Sequence, residues 1–283
     1  MNSLNDLKIG LALSGGATRG MAHLGALKAL TENGIFPNAV AGTSIGALVA
    51  TLYAFQVPLT TMYEHAKELN WLKVSNFTLS RTGLLTNKPI GELIEELIGD
   101  VNIEDAPIPL AIVTTDIATG EKVVLREGNA ALAVMASTCV PGIFQPIELE
   151  GRLLVDGFIL ENVPITPLMD IQCDMIVAVN LSARKKYRVP DGLLDIVLNA
   201  LDIAVDANMQ KHLPGADILI EPDLFTIMEQ EEIEEPYQAF YDEGFHTTMM
   251  RIKEIQMLIN RYQRKKEPKL WRRFKRFFSP STP

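Results

Sequence analysis

The residues that most directly indicate chemistry form a short serine motif. Gly42-Thr43-Ser44-Ile45-Gly46 fits the pattern G-x-S-x-G, with an apolar run before it and an apolar, helix-like run after it. In a nucleophile elbow the serine sits on a strained strand-to-helix turn, and the flanking glycines leave room for the backbones that cross there. The pattern is short enough to arise by chance, and a serine that caps a helix N-terminus is the alternative. The strand, turn and helix context favours Ser44 as a nucleophile.

A second strand-to-helix turn, Ser14-Gly15-Gly16-Ala17-Thr18-Arg19-Gly20, contains the residues for an anion site. Backbone N–H groups in such a turn, backed by a helix N-terminus, attract a phosphate or an oxyanion. A Walker A loop is excluded because Met21 and Ala22 stand where Lys and Ser or Thr are required. A dinucleotide fingerprint is present only in the degenerate form G-x-A-x-x-G, and no acid for the ribose lies within Asn38–Ser44. An oxyanion hole beside the serine is the better interpretation.

A serine nucleophile needs a base, and carboxylates are better placed for this role than histidines. His23 lies just past the glycine-rich turn, where a hydrogen-bonded structural histidine is the favoured interpretation. The other three histidines fall in polar or terminal parts of helical patterns: His65, His212 and His246. Asp156-Gly157 follows one apolar strand pattern, and Asp116 ends another. The alternatives are an ordinary turn at Asp156-Gly157 and a helix or turn cap at Asp116.

These motifs need elements to position them, and apolar runs alternate with helical patterns along the chain. Such alternation predicts an α/β fold in which a mostly parallel sheet carries helices on both faces. The predicted strands are Ile9–Leu13, Ala39–Ala41, Leu110–Thr114, Lys122–Leu125, Ile147–Leu149, Arg152–Val155, Met175–Val179 and Ile218–Ile220. The predicted helices are Met21–Leu30, Ile45–Phe55, a helix around Leu194–Val205 that stops at Pro214-Gly215, and about Tyr237–Tyr262. The fifth and sixth of these strands are expected to form a hairpin.

Composition excludes several classes of protein. The 283 residues carry 26 basic and 35 acidic side chains, a net charge of −9, and 47% of them are hydrophobic. Such a chain can bury a core and is not a disordered protein. Its two cysteines, Cys139 and Cys173, fit neither a disulfide framework nor a zinc knuckle. The acidic balance weighs against nucleic-acid binding, so we expect no nucleic-acid partner.

Two observations bear on cellular location. We recognise no secretory signal in the first residues, which predicts a cytoplasmic protein. The uncharged stretch Asn33–Tyr63 is a candidate membrane span, but Gly, Gln and Pro residues interrupt it. Its helix-like part, Ile45–Phe55, is too short to cross about 30 Å of hydrocarbon, which needs roughly 20 residues. We therefore expect a buried helix there.

Taken in order, the motifs resemble those of the patatin-like phospholipases, a family of lipid acyl hydrolases that use a Ser-Asp dyad. The family's glycine-rich loop resembles Leu13–Gly20, its elbow resembles Gly42–Gly46, and its D-G-G/A box resembles Asp156-Gly157-Phe158. The approach to this box and the exit from it are also similar, at Ala136–Phe144 and Asn162-Val163-Pro164. The resemblance covers about residues 8–170 and is closest to small single-domain bacterial members.

The resemblance implies a three-layer α/β/α fold and a serine esterase mechanism. Ser44 attacks the ester carbonyl while Asp156 accepts its proton, and water hydrolyses the resulting acyl-enzyme. The oxyanion hole is implied to consist of three loop amides, those of Gly15, Gly16 and Ala17. Five further residues are implied to support the motifs: Arg19, Gly20, Gly42, Gly46 and Gly157. The implied substrate is a lipid or another acyl ester, with no metal and no cofactor.

The chain departs from the family's pattern at two positions. Ala17 stands where the family usually has a third loop glycine, and alanine is tolerable there if φ is negative, because a methyl group penalises only left-handed backbone. Phe158 stands where the family usually has Gly or Ala, and its ring would narrow the acyl site or alter activity. The alternative function is therefore a non-catalytic regulatory or adaptor protein on the same fold. Arg19 either orients the loop, binds a phosphate or forms a structural salt bridge.

Three segments follow from these patterns: a core at 8–170, strands and helices that complete the same domain at 171–267, and a tail at 268–283. Lys269–Phe278 in the tail predicts an interfacial helix with one aromatic and one basic side. Residues 251–276 contain 11 basic and 2 acidic side chains, so this end carries +9 and the rest −18. The pattern predicts a peripheral contact with anionic lipid at the inner face of the membrane. The alternative is that the aromatic side packs on the protein's own surface.

Overall fold

The computed structural model describes residues 7–68, 76–77, 85–183, 187, 189–229 and 236–266. The predicted interfacial helix Lys269–Phe278 lies outside these residues. The strands are β1 (Ile9–Leu13), β2 (Ala39–Thr43), β3 (Asn76–Phe77), β4 (Leu85–Thr86), β5 (Leu110–Asp116), β6 (Glu121–Leu125), β7 (Ile147–Leu149), β8 (Arg152–Asp156), β9 (Met175–Val179) and β10 (Ile218–Ile220). The helices are α1 (Met21–Glu32), α2 (Ile45–Ala54), α3 (Leu59–Glu68), α4 (Lys88–Ile98), α5 (Ala130–Ser137), α6 (Phe158–Glu161), α7 (Thr166–Asp170), α8 (Leu193–Met209), α9 (Leu224–Met228) and α10 (Pro236–Lys266).

One sheet organises the fold, in the strand order β10, β9, β1, β2, β5, β8, β7, with β6 also paired to β5. The first five strands in this order are mutually parallel, whereas β6, β7 and β8 pair antiparallel. Parallel neighbours require crossover connections, which α1 supplies between β1 and β2 and α8 between β9 and β10. The predicted α/β class with a mostly parallel sheet is confirmed.

The two faces of the sheet bury different side chains. Successive strand residues point to opposite faces, so Leu11 and Leu13 of β1 join a large cluster with α1, α2 and α10. Ala12 points the other way, into a smaller cluster that includes Leu168 of α7. The strand residues on this second face are mostly alanines: Ala12, Ala39, Ala41, Ala111 and Ala178. Helices therefore cover both faces, in the expected three layers.

The uncharged stretch Asn33–Tyr63 forms β2, α2 and part of α3. α2 has ten residues, and all of them except Tyr53 are buried, as expected. Within the described ranges, no helix has both the length and the apolar character needed to cross a bilayer.

Most predicted elements are present, with shifted ends. β2 runs two residues further than predicted because Gly42 and Thr43 continue the pairing with β5. α8 ends at Met209, before the predicted stop, and a short 3₁₀ turn at Leu213–Gly215 follows. The expected hairpin forms between β7 and β8.

Candidate active site

Ser44 lies where β2 ends and α2 begins, in a strained backbone conformation. Its φ is +54°, which is uncommon for a residue other than glycine. The Ser44 amide donates to Oγ of Ser137 at 2.9 Å, and the Ser137 hydroxyl donates to the carbonyl of Val113 at 2.7 Å. These two bonds offset the strain by fixing the turn to β5. The local geometry is that of a nucleophile elbow.

The two glycines of the elbow lie where backbones cross. A Cβ atom on Gly42 would stand 2.3 Å from the carbonyl oxygen of Gly46. A Cβ atom on Gly46 would stand 2.1 Å from the carbonyl oxygen of Leu13 in β1. Backbone atoms cannot rotate away, so only glycine lets α2 begin this close to the sheet.

The strand register brings Asp156 next to Ser44. β6 occupies one edge of the C-terminal half of β5, so β2 and β8 must share the other edge. On that edge Thr43, which precedes the serine, lies opposite Val113, and Asp156 lies opposite Thr114. The end of β2 therefore meets the end of β8. The sheet places the predicted nucleophile and the predicted base at one point.

The Asp156 carboxyl is fully buried and only partly satisfied. Its Oδ1 accepts from the Phe158 amide at 3.0 Å, whereas Oδ2 has no hydrogen-bond partner of standard geometry among the described residues. Burial raises the pKa of Asp156 to about 7, and interactions with the Ser44 hydroxyl and the Phe158 amide oppose that rise. The serine hydroxyl thus faces the carboxyl without full alignment, as is common before substrate binds. A carboxyl with this pKa can exchange a proton near neutral pH.

The glycine-rich loop carries its own backbone strain at Ala17. The condition stated above for tolerating alanine, a negative φ, is not met, because φ is +50°. This left-handed conformation costs a residue with a Cβ atom about 1–2 kcal/mol. The Gly15 amide donates to the carbonyl of Asn162 at 3.2 Å. No described residue accepts a hydrogen bond from the amides of Gly16 and Ala17.

Arg19 holds this loop in place. Its Nε donates to the carbonyl of Gly16 at 2.9 Å, and a terminal nitrogen donates to the carbonyl of Leu181 at 2.9 Å. The guanidinium also lies over the ring of Phe225, 4.5 Å from its centre. Burial lowers the pKa of Arg19 to about 10, so the side chain stays charged at neutral pH. Of the open interpretations, orientation of the loop is the one that these contacts support.

Two further motif glycines permit close packing around the site. A Cβ atom on Gly20 would stand 2.4 Å from the Ile45 side chain at the start of α2. A Cβ atom on Gly157 would stand 2.3 Å from the carbonyl oxygen of Val113 in β5.

No described histidine lines the pocket that contains Ser44 and Asp156, and neither does Asp116. His23 is buried, its Nε2 donates to the carbonyl of Ser14 at 2.8 Å, and burial lowers its pKa to about 4. It is therefore a neutral structural residue, as expected. Asp116 Oδ1 accepts from the Ala118 amide at 3.0 Å, which is the turn cap given above as the alternative.

A cavity of about 290 Å³ opens over Ser44 and Asp156. Its polar wall includes Gly15, Gly16 and Ala17 of the loop. Its apolar wall comes from two sides: Val140, Ile143 and Phe158 from one, and Leu198, Leu201 and Val205 of α8 from the other. Such a site can hold an ester carbonyl at the loop and an alkyl chain against the apolar wall.

Sequence reasoning did not assign three parts of this site. Ser137 and Asn162 lie in the stretches that approach and leave the Asp-Gly box, but their partners on Ser44 and Gly15 depend on long-range packing. α8 is a predicted helix, yet its spacing alone does not show which of its faces covers the site.

Comparison with known proteins agrees with this architecture. The family model for patatin-like phospholipases matches residues 11–169. An uncharacterized NTE family protein of Mycobacterium tuberculosis is 35% identical over 178 residues, which cover 62% of this chain and 49% of the relative. Lysophospholipase NTE1 of Mycosarcoma maydis is 33% identical over 186 residues, which cover 64% of this chain and 10% of that protein. The chain thus spans about half the length of the mycobacterial relative and a small part of the fungal one.

Solved structures show the same fold. VipD from Legionella pneumophila superposes with a TM-score of 0.61 at 15% identity, over 87% of this chain and 67% of that chain. ExoU in complex with SpcU from Pseudomonas aeruginosa gives a TM-score of 0.52 at 16% identity, over 88% and 52% of the two chains. The family model spans more than half of the sequence and includes the ends of β2 and β8, where Ser44 and Asp156 meet. The chain belongs to the patatin-like phospholipase family.

Proposed function

We propose that this chain hydrolyses carboxylic esters of lipids, with Ser44 as nucleophile and Asp156 as its base. The observation that carries the proposal is the buried Asp156 carboxyl, whose unsatisfied oxygen lies beside a serine on a nucleophile elbow. A titratable group with a shifted pKa, next to a side chain that it can deprotonate, is typical of a catalytic centre. Family membership supports the same reaction class.

The proposed reaction has two halves. Ser44 Oγ bonds to the ester carbonyl carbon while its proton moves to Asp156, and the tetrahedral intermediate then breaks the C–O bond to the alcohol. Asp156 returns the proton to the leaving alcohol. Water then attacks the acyl-serine carbonyl and gives a proton to Asp156. The C–Oγ bond breaks, Asp156 returns this proton to Ser44 Oγ, and the carboxylic acid leaves. A pKa of about 7 suits a group that must both accept and return a proton.

The amides of Gly16 and Ala17 are the proposed oxyanion donors. The Gly15 amide is engaged with Asn162, so we assign it the task of fixing the loop. Arg19 acts through Gly16, because it holds the carbonyl of that residue. Donors fixed in advance stabilise the developing negative charge, and loss of one typically lowers the rate by about 10²-fold or more.

The proposed substrate class is a lipid acyl ester. The apolar cavity wall supports an alkyl chain next to the serine, and one curated relative carries the name lysophospholipase. Phe158 is compatible with the dyad, since it lines the cavity and its amide donates to Asp156. This favours an enzyme over the regulatory or adaptor protein on the same fold.

The test is hydrolysis of a panel of acyl esters by the wild type and by Ser44→Ala. The panel contains water-soluble p-nitrophenyl esters of increasing chain length and a lysophospholipid. We expect turnover by the wild type, none by Ser44→Ala, and labelling of Ser44 by a fluorophosphonate probe. A folded wild type that neither hydrolyses any ester nor reacts with the probe would support the adaptor function instead.

A further inference from the structure

Helix α8 exposes an uncharged apolar face. Its members recur at a spacing of three or four residues, and all are exposed: Leu193, Ile196, Val197, Ala200, Ile203, Ala204 and Ala207. We call these seven residues the α8 stripe. The exposed fraction is 78% for Leu193, 53% for Ile196 and Val197, and 54% for Ile203. A contiguous apolar face of this kind on a protein surface marks an interaction site.

The other side of the same helix lines the catalytic cavity. The side of the helix that faces away from the stripe contributes three apolar side chains to the cavity wall, those of Leu198, Leu201 and Val205. Asp202 and Asp206 of the same helix also line the cavity. A helix with apolar residues on two opposed sides separates two apolar environments. The cavity is one of these environments, and an apolar environment outside the protein, in contact with the stripe, would be the other.

We propose that the α8 stripe docks on the surface of a lipid aggregate with uncharged or zwitterionic head groups, from which the cavity takes its substrate. The inference rests on the proposed function. A lipid surface is favoured over a second copy of the chain because the stripe and the cavity wall share one helix. The helix that contacts the aggregate is then also the helix that borders the serine's cavity.

The charges of α8 specify the kind of lipid. The helix contains Asp195, Asp202 and Asp206 and no Lys or Arg. None of these three belongs to the stripe, and Asp202 and Asp206 line the cavity. The stripe therefore offers an anionic surface no basic group, whereas the basic segment Lys269–Phe278 is expected to bind such a surface. Head-group charge thus separates the two possible membrane contacts in an experiment.

The variant to test is the double substitution Ile196→Gln with Ile203→Gln. These residues are seven apart on the stripe, neither lines the cavity, and glutamine favours helix at least as well as isoleucine. The matched control is Met250→Gln with Met257→Gln on α10. These methionines are also seven apart, with exposed fractions of 64% and 65%.

The full chain is floated with phosphatidylcholine vesicles, and hydrolysis of water-soluble p-nitrophenyl butyrate is measured in parallel. We expect the wild type and the methionine variant to float, and the isoleucine variant to partition at least about tenfold less, since two large apolar side chains no longer enter the lipid. Hydrolysis of the soluble ester stays the same in all three proteins.

Three results would overturn the inference: equal flotation of all three proteins, binding to anionic vesicles alone, or a wild-type dimer in sedimentation velocity that the isoleucine changes dissociate. Failure of the wild type to hydrolyse the soluble ester would contradict the proposed function, whatever the flotation result. The two proposals therefore fail separately.

Discussion

At the scale of single residues, the environment of Asp156 decides what the site can do. An exposed aspartate has a pKa near 4 and is a weak base at neutral pH. Burial raises the pKa of Asp156 to about 7, against the opposing effect of the Ser44 hydroxyl and the Phe158 amide, and this makes the carboxylate a stronger base. Two other buried side chains, those of Arg19 and His23, donate hydrogen bonds to carbonyl groups of the glycine-rich loop, so their roles are structural.

The raised pKa predicts a pH dependence of ester hydrolysis. Only ionised Asp156 can accept the Ser44 proton, so kcat/KM for a soluble ester should rise with pH, by about tenfold per unit below pH 7, and level off above about pH 8. Asp116→Asn serves as the control and should leave the profile unchanged, because that carboxyl caps a turn. A profile governed by a group near pH 4 would contradict a buried base.

The loop residues give a paired prediction. A Cβ atom on Gly16 would stand 2.7 Å from the Leu181 side chain, so Gly16→Val should displace the loop amides. We expect kcat to fall by about 10²-fold or more with little change in KM, because these amides act mainly in the transition state. Ala17→Gly should retain activity and raise the free energy of unfolding by about 1 kcal/mol, since it relieves the positive φ. Unchanged kinetics in Gly16→Val would remove the loop from the mechanism.

At the scale of elements, the site exists because β2 and β8 meet end to end on one edge of β5. The apolar run of each strand predicts that strand, and the turn residues that follow the run predict approximately where the strand ends. Their meeting does not follow from local patterns, because it depends on the antiparallel pairing of β5 with both β6 and β8. The resemblance to a family is what links Ser44 with Asp156 in the sequence.

Other elements show where sequence patterns are insufficient. No pattern identifies α5 in advance, because its apolar and alanine residues lack a polar face. Yet α5 supplies Ser137, which holds the elbow amide. The positive φ of Ala17 is equally hidden, since propensity disfavours it and only the surrounding contacts impose it.

Because α2 crosses β1 closely at Gly46, we expect a side chain at this position to destabilise the protein. Gly46→Ala places a methyl group 2.1 Å from a backbone oxygen, so it should lower the free energy of unfolding by about 3 kcal/mol or more and reduce hydrolysis. Gly192→Ala is the control, because no atom lies within 4 Å of its Cβ position and its φ is −169°. Urea unfolding measures the free energy of unfolding of both variants, and equal values for the two would contradict the close crossing at the elbow.

At the scale of the whole molecule, charge is distributed unevenly. Residues 251–276 carry +9, whereas the remainder carries −18. We expect the full chain to co-sediment with anionic vesicles at low salt, and a chain ending at Glu267 to lose this binding. Added salt should weaken the binding of the full chain. Equal binding of both chains at low salt would favour the alternative, in which the aromatic side of the tail packs on the protein itself.

Ser44 and Asp156 are proposed to act as one catalytic unit, and a double-mutant comparison tests this most directly. Hydrolysis of a soluble ester is measured for Ser44→Ala, Asp156→Asn, the double variant and Asp116→Asn, with circular dichroism to verify folding. We predict that each dyad variant loses activity by at least about 10³-fold, that the double variant is no worse than either, and that Asp116→Asn resembles the wild type. Near-normal turnover by Asp156→Asn, together with loss of turnover in Asp116→Asn, would contradict this assignment of the base.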